Sequence, residues 1–547
     1  MTSLCARCAR TLQIRVNLSP AEISQLHHYL RFDFGPSVIT PEQAEGVKRI
    51  LAVADKDIED HDSEIARLHD QIMIIEAQKR QLKTQRAKLC SLLSPMRKLP
   101  NEVLFRILQL VCDSVGNRLY DFNDEEGMEA IPYLPAMTVS SVCARWRDLA
   151  LKSSGLWANL AVVLLSWDGE PDELSSMVAL YLERSRKWKL KLSLDLERKD
   201  ELPSLDLLLQ HADRWKSFTY RAYHLYSFSN KLSQLHFPEL LELDVRRFSD
   251  QESSVLDVFE HAPKLRTLST TVVPPPNAPF NQLKSLHFLM DMGLSSPTQL
   301  ANILNNCPSL KSLSLELKRI NQEVQDPPVQ GTWHNITALT IMEQSVEYGS
   351  LTGSCSEMVF SSLRLPSLTE LVVKGSTQRT YATNTLISFI TTSSCTITTF
   401  TLHGLSVSDV DLIAVLQAMP SILHLEIDDQ VDYYSHQRSP ISSHLMSSLR
   451  HQSTSISLAP KLHSLRLISE HKEPFDDATF ISMVESRWFK PGSDLSAAMF
   501  SVGKACIRSI VLTFSWREVD AEVYQPLQNL DAEGLRVVVT GTNGVQV

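Results

Sequence analysis

From Leu51 to Leu93 apolar residues return at every seventh position, a period that predicts one long helix with an apolar seam. Leu51, Ile58, Ile65, Ile72 and Leu93 fall on one seam position; Leu68, Ile75, Leu82 and Leu89 fall on the other. Thr40 can cap this helix, Pro41 suits its first position and Gln43 completes a capping-box spacing. No proline follows until Pro95. His61, Lys79 and Arg86 interrupt the seam, and Gln71, Gln78 and Gln85 beside it carry no charge to choose a partner. Periodicity reports a seam and not what covers it. Two readings stand: a parallel homodimer through residues 40–94, or a fold-back on "SPAEISQLHHYL", where Ile23, Leu26 and Leu30 make a short complementary stripe.

The next pattern is shorter. After Pro95, "LPNEVLFRILQLV" places Val103, Leu104, Ile107, Leu108 and Val111 on one helical face, with Pro100 near the first turn. About 30 residues on, "VSSVCARWRDLALKSSGLWANL" repeats helical spacing through Val139, Val142, Cys143, Trp146, Leu149 and Trp157. Between them lies an acidic, loop-like stretch from Asp113 to Pro132. Three short helices make a poor core of their own, so the surplus apolar face is expected to serve an interface.

Beyond Lys187 the period drops from helical to two. An apolar helical stretch, a proline and Leu-x-x-Leu-x-Leu recur, as in "PELLELDV", "PKLRTLST", "PSLKSLSL", "PSLTELVV", "PSILHLEI" and "PKLHSLRL". Proline stops the helix, and alternating leucines then form a short strand with one buried face. Leu243, Leu268, Leu286, Leu313, Leu339, Leu371, Phe400 and Leu425 hold the central core position. This is the signature of leucine-rich repeats, an α/β solenoid or horseshoe, although no Asn ladder follows the strands. Asp244, Glu316, His403, Glu426, Asp428 and Arg466 take outward strand positions and form the candidate substrate face, beside Arg246, Ser314 and Thr401. Asp429, Asp432, Tyr433 and Tyr434 fall in an acidic-aromatic insert after them.

Composition narrows function mainly by exclusion. A net charge of -10 over 547 residues argues against nucleic acid, whose phosphates require a Lys/Arg surplus. The apolar run "LAVVLL" is far below membrane-spanning length, so no membrane role is expected. Nine scattered cysteines, with a lone CxxC at Cys5 and Cys8, read as reduced thiols in the cytoplasm and/or nucleus; the Arg-rich amino terminus keeps a mitochondrial address open. No phosphate loop, GxGxxG, HExxH or GxSxG occurs. The chain is expected to be non-catalytic, with no cofactor and no metal.

"LPNEVLFRIL" followed by "VCARWRDLALKSSGLW" resembles an F-box, and with the repeats behind it the chain resembles the F-box families of mushroom-forming fungi. The resemblance implies a substrate-recognition subunit of an SCF-type (Skp-cullin-F-box) ubiquitin ligase. Its F-box would dock a Skp-type adaptor of the cullin-RING ligase while the repeats bind an unknown substrate protein. Carried onto this sequence, the adaptor-binding residues are Leu99, Pro100, Glu102, Leu104, Ile107, Leu108, Val142, Cys143 and Trp146. The alternative is a non-catalytic scaffold assembled through the coiled coil, without ligase engagement. The expected order is an N-terminal segment with a short helix (1–39), the long helix (40–94), an F-box-like three-helix module (95–160), the repeats (188–520) and a tail (521–547).

Overall fold

The structure is a computed structural model that describes residues 17, 19–24, 40–120, 134–164, 172–196, 203–222, 231–247, 254–259, 262–272, 280–291, 297–318, 331–344, 355–375, 383–430, 439–451, 457–470, 474–489 and 505–544. Two compact units divide the chain, residues 1–104 and 105–547. Cys5, Cys8, Leu26, Leu30, Asp432, Tyr433 and Tyr434 lie outside the described residues, as does the acidic stretch over 121–133.

In the first unit, α1 (Pro41–Leu92) runs unbroken for 52 residues, and a 3-10 turn over Pro95–Lys98 follows. Among the described residues the fold-back occurs at one spot. Asn17 donates to Asp57 through its backbone N–H and its side-chain amide, both at 2.8 Å. Ser19 and Glu22 close a reciprocal capping box ahead of a helical turn over 20–24. Ile50 and Asp57 are buried there, but the seam is not covered. Leu51, Ile58, Ile65, Ile72, Ile75, Leu82 and Leu89 are each more than half exposed.

Among the described residues the second unit is built on one parallel sheet of fifteen strands. It opens with α2 (Asn101–Val115, begun in the first unit), β1 (Asn117–Tyr120), α3 (Pro135–Val142), α4 (Ala144–Lys152), β2 (Asn159–Leu164) and α5 (Asp172–Ser185). Then come β3 (Leu190–Leu196), β4 (Trp215–Ala222), β5 (Glu242–Arg247), β6 (Thr267–Thr270), β7 (Ser285–Asp291) and β8 (Ser312–Lys318). After β9 (Thr332–Trp333), which pairs only with β11 (Leu363–Arg364), the sheet resumes with β10 (Ala338–Gln344), β12 (Glu370–Gly375) and β13 (Thr399–His403). It ends with β14 (His424–Asp428), β15 (Ser464–Ser469), β16 (Ser509–Phe514) and β17 (Arg536–Thr540). Parallel neighbours need a return path, supplied by α6 (Pro203–Leu209), α7 (Pro297–Asn305), α8 (Cys355–Ser362), α9 (Thr383–Ser393), α10 (Asp409–Gln417), α11 (Ser443–Leu449), α12 (Asp477–Arg487) and α13 (Gln525–Ala532). From α7 to α13 each helix touches the next in order.

Three sequence expectations change here. The sheet begins at β1, inside the stretch read as an acidic loop, and "LAVVL" from Leu160 lies in β2, so the solenoid starts far ahead of residue 188. The stretch expected as a tail holds β17, which pairs with β16. The repeat proline does more than stop a helix. Pro263, Pro308, Pro366 and Pro460 each occupy the second position of a turn closed by the N–H of Leu265, Leu310, Leu368 or Leu462 at 3.0–3.2 Å. Fixing φ near −65° there pre-sets the turn that delivers a fully buried leucine.

Backbone carbonyls just ahead of the strands tie neighbouring repeats together. Leu241 O accepts from the N–H groups of both Arg266 and Thr267; Lys284 O accepts from Lys311 and Ser312; Thr369 O accepts from Thr398 and Thr399; Leu423 O accepts from His463 and Ser464. Each of these carbonyls thus joins one repeat to the next, a pattern that needs no particular side chain.

Candidate functional site

Two surfaces carry the residues singled out by sequence. On α2, Leu104, Leu108 and Cys112 face inward, with Leu104 0 % exposed. Leu104 and Leu108, expected as adaptor anchors, are thus buried within this chain. The adjacent stripe is free: Val103, Ile107, Leu110 and Val111 recur at helical spacing and are exposed. Pro100 and Glu102 are also exposed, and Leu99 is half-buried. Val142, at the end of α3, is 59 % exposed. Cys143 sits in extended backbone between α3 and α4 and is half-buried, as is Trp146.

The helices are held to the sheet by residues that no motif flagged. Gly116, at φ 71°, ends α2 by donating its N–H to Cys112 O. Asn117 follows, fully buried. Its amide nitrogen donates to Leu156 O (3.1 Å) and Asn159 O (2.8 Å), and its oxygen accepts from Ala136 N (3.0 Å) and the Tyr181 hydroxyl (3.3 Å). Four segments thus meet on one side chain. Trp157, the Trp of the Leu-Trp pair, is buried against Tyr181 with ring centroids 5.1 Å apart; it donates to Ala150 O, and the Arg184 guanidinium lies 4.4 Å over its ring. Burial pushes the Tyr181 hydroxyl well above its usual range.

On the outward strand face the six candidates do not form one site. Asp244 pairs with Arg246 at 3.1 Å on β5, and Glu316 pairs with His287 at 3.4 Å across β7 and β8. At about 4.8 Å per strand, Asp244 lies about 38 Å from Arg466 along the sheet. The remaining four come together. His403 sits between Glu426 (3.4 Å) and Asp428 (3.2 Å), and Arg466 reaches Glu426 at 3.6 Å. Register causes this, since Thr401, Glu426 and Arg466 stand side by side, as do His403, Asp428 and Ile468.

Asp429, the first acid of the acidic-aromatic insert, turns inward. It is buried, accepting from Ser439 Oγ, from Ser469 Oγ at 3.4 Å and from the Glu470 N–H at 2.6 Å. It anchors the insert instead of projecting from it. Burial first, then the charges of Asp428 and Asp429, push the Glu470 carboxyl up. A folded state that holds this proton more tightly than the unfolded state loses stability as pH rises through the range between the two pKa values. Glu470→Gln is therefore expected to be more stable than wild type at pH 7, by under about 0.5 kcal/mol given solvent screening, with the difference vanishing as pH falls. Paired urea titrations at pH 7 and pH 4 check this.

Among the described residues no three His, Cys, Asp or Glu side chains are arranged to hold a metal ion, and no helix is long and apolar enough to cross a membrane. No family model matches this chain, and no curated protein matches it. Among solved structures it is similar to one of the Toll–Spatzle complex, described as a molecular hub in Drosophila development and innate immunity. The TM-score is 0.32 and the identity 12%, over 70% of this chain and 51% of that chain. The match thus spans about half the length of that chain. By its own geometry, with one parallel strand per leucine-patterned unit, the second unit of this protein is a leucine-rich-repeat-like solenoid behind a long N-terminal helix.

Proposed function

We propose that this protein is a non-catalytic receptor of an SCF-type ubiquitin ligase. On this reading α2 to α4 dock a Skp-type adaptor, and the outward strand face of the solenoid holds a substrate protein near the ubiquitin-transfer machinery. The protein would work in the cytoplasm or nucleus with no cofactor, raising the effective concentration of its target. The observation that carries the reading is the apolar stripe of α2, Val103, Ile107, Leu110 and Val111, left exposed beside a fully buried one. An amphipathic helix that has already filled its own core and still shows four aliphatic side chains fits a partner groove. The exposed seam of α1 supports the second reading, a scaffold without ligase engagement.

The test uses the full chain, because Trp157 and Asn117 tie the module to α5 and the sheet, so an excised fragment would lose its core. Co-expression with a Skp adaptor followed by calorimetry is expected to give a one-to-one complex. Ile107→Glu with Leu110→Glu is expected to weaken it at least about thirtyfold while leaving the circular dichroism unchanged, since central apolar anchors each contribute about 2 kcal/mol or more. Adaptor binding that is absent, or indifferent to both charges, sinks the receptor reading and leaves the scaffold.

A further inference from the structure

We propose that α1 pairs with α1 of a second copy of this chain, and that the two helices run antiparallel with residue 70 at the two-fold axis. The inference does not depend on adaptor docking.

Three observations carry it. The first is length: from Leu51 to Leu89 the exposed seam extends about 57 Å, well past the three to four heptads a coiled coil requires. Within one chain the described N-terminal residues leave that seam open.

The second is charge. Asp55, Asp57, Glu59, Asp60, Asp62 and Glu64 make the N-terminal half acidic, with Lys56 alone among them. Lys79, Arg80, Lys83, Arg86 and Lys88 make the C-terminal half basic, with no acid between them. Among the described residues those five cations form no ion pair. Antiparallel pairing lays each basic half along the partner's acidic half. Parallel pairing lays like on like.

The third is how the seam layers match. When facing positions sum to 140, Leu51 meets Leu89 of the second copy, Ile58 meets Leu82, Ile65 meets Ile75, and Leu68 meets Ile72. Every strong apolar layer then finds another. The defects pair too: Lys79 faces His61 beside Asp62, Arg86 faces Ala54 beside Asp55, and Lys83 lies between Asp55 and Asp62. A parallel in-register dimer would instead stack Lys79 on Lys79, Arg86 on Arg86 and His61 on His61. Like charges in facing layers cost stability, and single polar seam positions are what fix orientation and register. The residues that weaken a parallel coiled coil thus select the antiparallel one, in a self-complementary two-fold interface.

The wild-type full chain suffices for the test. Sedimentation should give twice 61.7 kDa. Isotope-mixed protein treated with a short amine-reactive linker should yield Lys56–Lys83 and Lys48–Lys88 links between copies. Lys56 and Lys83 are about 40 Å apart along one helix, so a single chain cannot make the first link. Ile65→Asp with Ile72→Asp should return the mass to 61.7 kDa and abolish those links. A monomeric wild type overturns the proposal. So do Lys56–Lys56 with Lys83–Lys83 links, which report parallel pairing, and a dimer that survives both aspartates.

Discussion

Arg487→Met is expected to lower the unfolding free energy of the C-terminal repeats by about 3 kcal/mol, a loss read as a fall in urea midpoint and faster hydrogen exchange in β15 and β16. Arg487 ends α12 and is fully buried. Its guanidinium faces three backbone carbonyls: Nε donates to Leu449 O where α11 ends, Nη1 to Ala459 O at 3.0 Å, and Nη2 to Leu458 O. Ala459 has φ 46°, in the left-handed region that disfavours a side chain, so this cation also holds a strained turn in place. Burial pushes the guanidinium down to about 9, so the charge itself is held against a desolvation cost. Met escapes that cost and keeps most of the volume, which leaves the unpaired carbonyls as the dominant loss. Arg487→Lys, able to serve fewer carbonyls from one ammonium, should fall between Met and wild type. A Met variant as stable as wild type would mean that these carbonyls find other donors.

The repeats were legible because their pattern is local. A turn, a buried leucine and a period-two strand lie within about eight residues, and the strands begun in "PSLKSLSL" and "PSLTELVV" form where alternation places them. The first strand and the last escape that pattern for a physical reason. β1 is four residues long and enters the sheet through Gly116 and Asn117, and β17 follows a helix with no proline turn ahead of it. Neither carries the repeat's signature, and each lies at an edge of the sheet, held by a single neighbouring strand.

Side-chain roles on α2 were the least legible. Sequence gives a helix an apolar arc, and α2 has one wide enough for two stripes. Which stripe enters the core depends on elements far along the chain, so Leu104 and Ile107 look alike in sequence and differ in the fold. The strand face was half legible: alternation identified outward residues, but only the register of β13, β14 and β15 gathers His403, Glu426, Asp428 and Arg466. Arg487 and Asn117 gave no signal at all, because their partners are backbone atoms. A basic residue ending "SMVESR", or an asparagine after a glycine, marks a surface or a turn by every local rule.

Asn117 therefore supports the second large prediction. Asn117→Asp changes one atom type and almost no volume, but it removes the donor that serves Leu156 O and Asn159 O and sets a carboxylate against two carbonyls in a site closed to water. The expected cost at pH 7 exceeds about 3 kcal/mol, from two lost hydrogen bonds and an uncompensated buried charge. In a solenoid each repeat leans mainly on its neighbours, so the damage should stay local. Hydrogen exchange is expected to quicken in β1, β2 and the C-terminal half of α2 while β8 to β17 keep their protection. The variant should also recover on acidification. A buried carboxyl with no cation beside it has its folded pKa raised, so its penalty is smallest below the unfolded value near 4 and grows as pH rises. Asn117→Ala, with no charge to bury, should show the same local loss without the pH dependence. Uniform loosening of the whole sheet, or an Asp variant equally unstable at pH 4 and pH 7, would remove Asn117 from its place as the joint between helices and solenoid.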